Sequence, residues 1–68
     1  MPILRMQEIR EMSTEERTRR LEELRTELSK LKTMISAGGS VENPGRVKDL
    51  RRTIARVMTV IREEELEA

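Results

Sequence analysis

Between Pro44 and Arg62, six side chains carry positive charge, Arg46, Lys48, Arg51, Arg52, Arg56 and Arg62, against the single carboxylate of Asp49. A guanidinium presents a planar fork of N–H donors that matches phosphate oxygens, and it keeps its charge at any cellular pH. Arginine outnumbers lysine in this chain by eleven to three. The chemistry on offer is contact with a polyanion rather than proton transfer or nucleophilic attack. There is no His and no Cys, which removes the commonest general base and the imidazole and thiolate metal ligands. We therefore expect no catalytic residues, no metal site and no cofactor.

The rest of the charge is arranged so that this cluster stands out. Residues 1–43 hold eight basic and eight acidic side chains, and residues 63–68 hold four glutamates, so the net charge of +1 hides a strongly basic segment. There is no Trp, Tyr or Phe, so stacking on unpaired bases is not available. The expected ligand is the backbone of a structured RNA, bound with an affinity that falls as salt rises. The blander alternative is a solvated helix face offset by the glutamate tail. Smaller signals add little. The Gly38-Gly39-Ser40 turn lacks a phosphate-loop pattern, Glu63-Glu64-Glu65 reads as a solvated helix end, and Met34 and Met58 read as gap fillers beside a core.

Two helices must present these residues. Ser13 and Glu16 have capping-box spacing. From there Leu21, Leu24, Leu28, Leu31 and Ile35 recur at alternating steps of three and four, an apolar seam on one helical face. Gly38-Gly39 supplies a left-handed stop. Asn43 then offers an N-cap and Pro44 a first helical position, after which Val47, Leu50, Ile54, Val57 and Ile61 repeat the same spacing. Ile35 with Val47, and so on down to Leu21 with Ile61, form pairs whose numbers add to 81 or 82, as an antiparallel hairpin requires. The same register brings Arg17 opposite Glu64 or Glu65, so charge closes the open end.

The expected fold class is all-α: an antiparallel two-helix coiled-coil hairpin with a short N-terminal helical segment. The single domain of 68 residues divides into an N-terminal segment (1–12), helix 1 (13–37), a turn (38–43) and helix 2 (44–66). Ile3, Leu4, Met6, Ile9 and Met12 suit the N-terminal segment to folding over the open end. Such a rod, without disulfide, metal or aromatic anchor, is expected to be marginal alone and to need a larger partner. No apolar run reaches membrane-spanning length, and the chain reads as soluble, reduced and cytoplasmic.

Helical angles separate the two helices' outer faces. On helix 1 the charges alternate, with Glu15–Arg19, Glu16–Arg20, Arg19–Glu23 and Glu27–Lys30 at neutralising spacings. On helix 2, counting about 100° per residue from Leu50, the seam centres near 20°. Lys48, Arg52 and Arg56 then fall at about 160°, 200° and 240°, with Arg51 and Arg62 at about 100° and 120°. Ala55 and Thr59 lie within this stripe and are small enough for close approach of a flat polyanion. A small helical enzyme would need charges pointing into a shared pocket, and neither seam is interrupted by one. A basic-zipper DNA binder would need an unbroken helix, which Gly38, Gly39 and Pro44 forbid. A protein-binding hairpin adaptor, using the same stripe on an acidic protein surface, remains the alternative.

The stretches "EIREMSTEER" and "ENPGRVKDLRRTIARVMTVIRE" resemble the L-twenty-nine family of large-subunit ribosomal proteins, with the Asn-Pro turn of its archaeal-type members. The resemblance implies a two-helix hairpin lying on ribosomal RNA at the surface of the large subunit, near the peptide exit tunnel. It also implies a neighbouring ribosomal protein of the L-twenty-three family and, on the exposed side, factors that meet the nascent chain. The family's basic motif then falls on Arg51, Arg52 and Arg56. The acidic ending "EEELEA" differs from members with basic tails.

Overall fold

The computed structural model describes residues 4–39 and 45–67, which form three helices: α1 (Met6–Glu11), α2 (Thr14–Ser36) and α3 (Gly45–Glu67). Among the described residues there is no strand. The long pair α2 and α3 pack against each other as an antiparallel hairpin, and α1 lies on α3. The molecule is a rod of 45 × 20 × 16 Å. The 23-residue helices, at about 1.5 Å rise per residue, account for about 35 Å of that length. The helix start expected at Asn43-Pro44, and the apolar Ile3, lie outside the described residues.

Local chemistry sets the ends of α2. The Ser13 hydroxyl accepts a hydrogen bond from the Glu16 N–H at 3.2 Å, satisfying one of the orphan donors of the first turn. Glu15 and Glu16 add negative charge where the helix dipole favours it. The reciprocal bond from Glu16 back to Ser13 is not formed among the described residues, so half of the expected capping box is present. At the other end Gly38 adopts φ +84°. Its N–H reaches Ile35 O at 3.1 Å, and the Gly39 N–H reaches Met34 O at 2.9 Å. This paired closure is a Schellman motif, and the left-handed residue at its centre is the reason for glycine. Gly39 is constrained for a different reason: a Cβ there would sit 3.0 Å from Met34 O.

Most of the buried core lies where the N-terminal segment and α1 meet the hairpin, with Leu50 buried further along α3. Leu4, Ile9, Leu24, Leu50, Val57 and Val60 form the core, with Met6, Met12, Leu21, Leu28, Leu31, Ile54 and Ile61 half-buried around it. Two helices alone leave the flanks of their seam open to water, and α1 closes one flank. The seam expected from periodicity therefore holds with three differences, one of them Val60, which is buried although it lies outside the expected seam. Ile35, in the last turn of α2, is 50% exposed, because it lies at the turn end, away from α1. Thr53, which is not one of the expected seam positions, is fully buried. On α3 the fully buried positions are Leu50, Thr53, Val57 and Val60, a stripe turned by about 60° from the expected one. The turn is toward α1, since Arg56, next to Thr53 and Val60 on the helix surface, donates to the Leu4 carbonyl.

One charged side chain joins all three helices. Arg17, on the first turn of α2, is only 3% exposed. Its Nε and Nη2 donate to the carbonyls of Ile9 and Arg10, both at 2.7 Å, capping the C-terminal turn of α1 where carbonyls have no helical partner. Its Nη1 pairs with the Glu64 carboxylate near the end of α3, and the Thr14 hydroxyl donates to the same carboxylate at 3.2 Å. The hydrogen bond from Arg17 is the main reason the Glu64 carboxyl is held below its ordinary value. Partial desolvation opposes that effect, while the Arg17 charge and the Thr14 bond support it. Arg10 adds an exposed ion pair to Glu63 at 3.5 Å.

Candidate nucleic-acid interface

The six basic candidates on α3 divide into three environments. Lys48, Arg51, Arg52 and Arg62 are exposed and make no ion pair or side-chain hydrogen bond with the described residues. They span 14 positions, about 21 Å of helix, on the side of α3 opposite its buried residues, and Arg62 also lines a shallow groove with Leu21 of α2. Ala55 and Thr59 lie between them, both exposed. The Thr59 hydroxyl is turned into its own helix, donating to Ala55 O at 2.8 Å, so the middle of the stripe presents little besides small side-chain surface. Four cations without partners among the described residues can take phosphate oxygens without first breaking a salt bridge there.

Arg56 sits at the border of this face and α1. It is half-buried, and its Nη1 donates to Leu4 O at 3.4 Å. One of five guanidinium N–H donors is thereby committed, leaving the others for a ligand.

Arg46 is placed differently. Its guanidinium grips the Glu27 carboxylate of α2 through contacts of 2.9, 3.0 and 3.2 Å, with both side chains 41% exposed. This bidentate pair ties α2 to α3 and takes Arg46 out of the stripe. Its helical angle carries the signal: at about 100° per residue, Arg46 falls about 40° from Leu50, on the packed side of α3. The same contact redirects Glu27, which pairs across the hairpin rather than with Lys30. On α2 the ion pair formed is Arg20–Glu23 at 3.4 Å.

Arg17 is the residue whose importance sequence reasoning understated. The register placed it against Glu64 or Glu65, yet nothing in the one-dimensional pattern showed that it would be buried or that it would cap a neighbouring helix. Arg25 is also used across the hairpin, with Nη2 3.5 Å from the Met58 sulfur. Met58 itself is half-exposed beside a shallow groove that includes Leu21 and Ile61. No helix of the described residues is long and apolar enough to cross a membrane.

The matching family model is the Ribosomal L29 protein model, over residues 7–63. This chain belongs to the ribosomal L29 family. The matched span takes in both seams, α1 from Gln7 onward, Arg17 and every basic candidate on α3. Among similar proteins, large ribosomal subunit protein uL29 of Halobacterium salinarum is 56% identical over 64 residues, covering 94% of this chain and 90% of its own. The protein of the same name from Natronomonas pharaonis is 55% identical, covering 94% and 93%. That from Archaeoglobus fulgidus is 52% identical, covering 94% of each. L29 is a structural component rather than an enzyme.

Proposed function

We propose that this L29-family chain, a structural constituent of the large ribosomal subunit in cytoplasmic translation, binds ribosomal RNA through Lys48, Arg51, Arg52 and Arg62, with Arg56 at the border. The observation that carries the reading is the absence of internal partners, among the described residues, for four exposed cations on one face of α3. Arg17 and Arg46, by contrast, are engaged within the molecule, with Glu64 and Glu27. A face left cationic in such a chain is matched to an external polyanion. Contacts are to phosphates and helical shape, since there is no aromatic side chain to stack on bases.

The position near the peptide exit tunnel and the neighbour of the L-twenty-three family are supported by the family resemblance. Half-exposed Met34 and Ile35 at the turn end of α2, and Met58 in a groove it shares with Arg62, suit contact with a protein neighbour or with factors that meet the nascent chain.

The test is assembly. Charge reversal by Arg51→Glu together with Arg52→Glu should leave helix content unchanged by circular dichroism and reduce recovery of the chain with the large subunit on a sucrose gradient, the more so after a high-salt wash. Undiminished recovery after that wash would rule the stripe out as the RNA contact. Recovery of the unmutated chain only at the top of the gradient would favour an adaptor hairpin acting on an acidic protein.

A further inference from the structure

Three polar contacts converge on a helix too short to stand alone, and a fourth holds Leu4 just before it. α1 has six residues, against the dozen or more that an isolated helix needs in water, so its order depends on docking. Arg17 holds the Ile9 and Arg10 carbonyls, Glu63 holds Arg10, and Arg56 holds the Leu4 carbonyl. Burial of Leu4 and Ile9 against the α3 core completes the dock. Of these anchors, Arg56 alone also belongs to the basic stripe.

We propose that α1 is a positioning strap for Arg56: the docked segment holds the guanidinium through the Leu4 carbonyl, ready for an RNA phosphate, so that α1 docking and RNA binding reinforce each other. The proposal rests on the reading of the stripe as an RNA face. Its physical basis is the entropy lost when a long side chain is immobilised on binding. An arginine already tethered at Nη1 loses less of that freedom, and its other N–H groups are still available. Linkage makes the effect reciprocal: if docked α1 tightens RNA binding by some factor, bound RNA stabilises docked α1 by the same factor. The two states are α1 docked and α1 undocked, and both ligands of Arg56, carbonyl and phosphate, bias them in one direction.

The experiment has two arms. In the first, binding to protein-free large-subunit ribosomal RNA is measured for the unmutated chain, Ile9→Ala, Arg56→Gln and the double variant, at several salt concentrations. Ile9 is buried in the dock and lies off the stripe. The expected result is that each single change weakens binding, Ile9→Ala by about two- to tenfold, while the double variant binds no more weakly than Arg56→Gln. Multiplying losses in the double variant would overturn the strap and leave the RNA reading standing. Salt-independent or absent binding by the unmutated chain would overturn both. The second arm needs no RNA and does not depend on Ile9→Ala remaining folded. In free Arg56→Gln, hydrogen exchange at the Ile9 and Met12 amides, which close α1 on Arg5 O and Ile9 O, should accelerate relative to amides in the middle of α2. Unchanged exchange there would show that Arg56 does not tether α1, and the proposal would fall.

Discussion

Arg17 and Glu64 meet at the open end of the hairpin, 47 positions apart in sequence, where a buried guanidinium on the first turn of α2 pairs with a half-exposed carboxylate near the end of α3. The pair does more than close the rod. Because the same guanidinium caps α1 through Ile9 O and Arg10 O, three helices share one side chain. A charge so deeply placed is stable only because its N–H groups are taken up by carbonyls and a counter-ion.

Loss of Arg17 should therefore destabilise the fold more than loss of any exposed arginine. Arg17→Met keeps the aliphatic stem but leaves the two α1 carbonyls without their charged donor. The expected cost is about 3 kcal/mol, read as a lower melting temperature by circular dichroism. Arg17→Lys should recover part of it, since an ammonium cannot reproduce the fork. A melting temperature within a degree of the unmutated chain would contradict the three-way cap.

Acid should loosen the same contact. The folded-state carboxyl of Glu64 titrates below its ordinary value of 4.5, so its contribution is complete above that value and is lost as pH falls through the folded-state pKa. Melting at pH 7 and pH 3 should show a larger acid loss for the unmutated chain than for Glu64→Gln, whose amide does not titrate. Equal losses would remove Glu64 from the acid response.

Thr53 offers a gain. Its hydroxyl is buried with no hydrogen-bond partner among the described residues, whereas Thr18, Thr26, Thr33 and Thr59 each donate to the carbonyl four positions back. Thr53→Val preserves the shape and removes the unsatisfied group, and should raise stability by about 1 to 2 kcal/mol. Chemical denaturation would detect it as a higher midpoint at unchanged slope.

The turn should respond in the opposite sense. Gly38→Ala forces a side chain into φ +84°, at a cost of about 1 kcal/mol. No residue beyond its chain neighbours lies within 4 Å of the added Cβ, so the penalty comes from the local backbone and not from packing. A melting temperature unchanged by this substitution would mean that the Schellman closure contributes little.

RNA binding should separate the two kinds of arginine on α3. Arg52→Gln removes an uncommitted cation and should lower the salt dependence of affinity by about one unit of slope. Arg46→Gln should leave that slope unchanged and lower thermal stability instead, through the lost pair with Glu27. Equal effects on slope would return Arg46 to the RNA face.

The all-α hairpin could be read from one dimension because its causes are local or periodic. Steps of three and four mark a helical face, Ser13 starts a helix through its own side chain, Gly38 stops one through its own φ, and two matched seams can close only antiparallel. The outward direction of Lys48, Arg51, Arg52 and Arg62 follows from the same 100° arithmetic. Packing decided what periodicity could not. The third helix turned the buried stripe of α3 toward Thr53 and Val60 and left Ile35 in water, because burial depends on where a neighbour sits and not on spacing along one helix. Arg17 and Arg46, indistinguishable by type from the exposed arginines, became structural because carbonyls and carboxylates distant in sequence arrived within reach of their guanidinium groups.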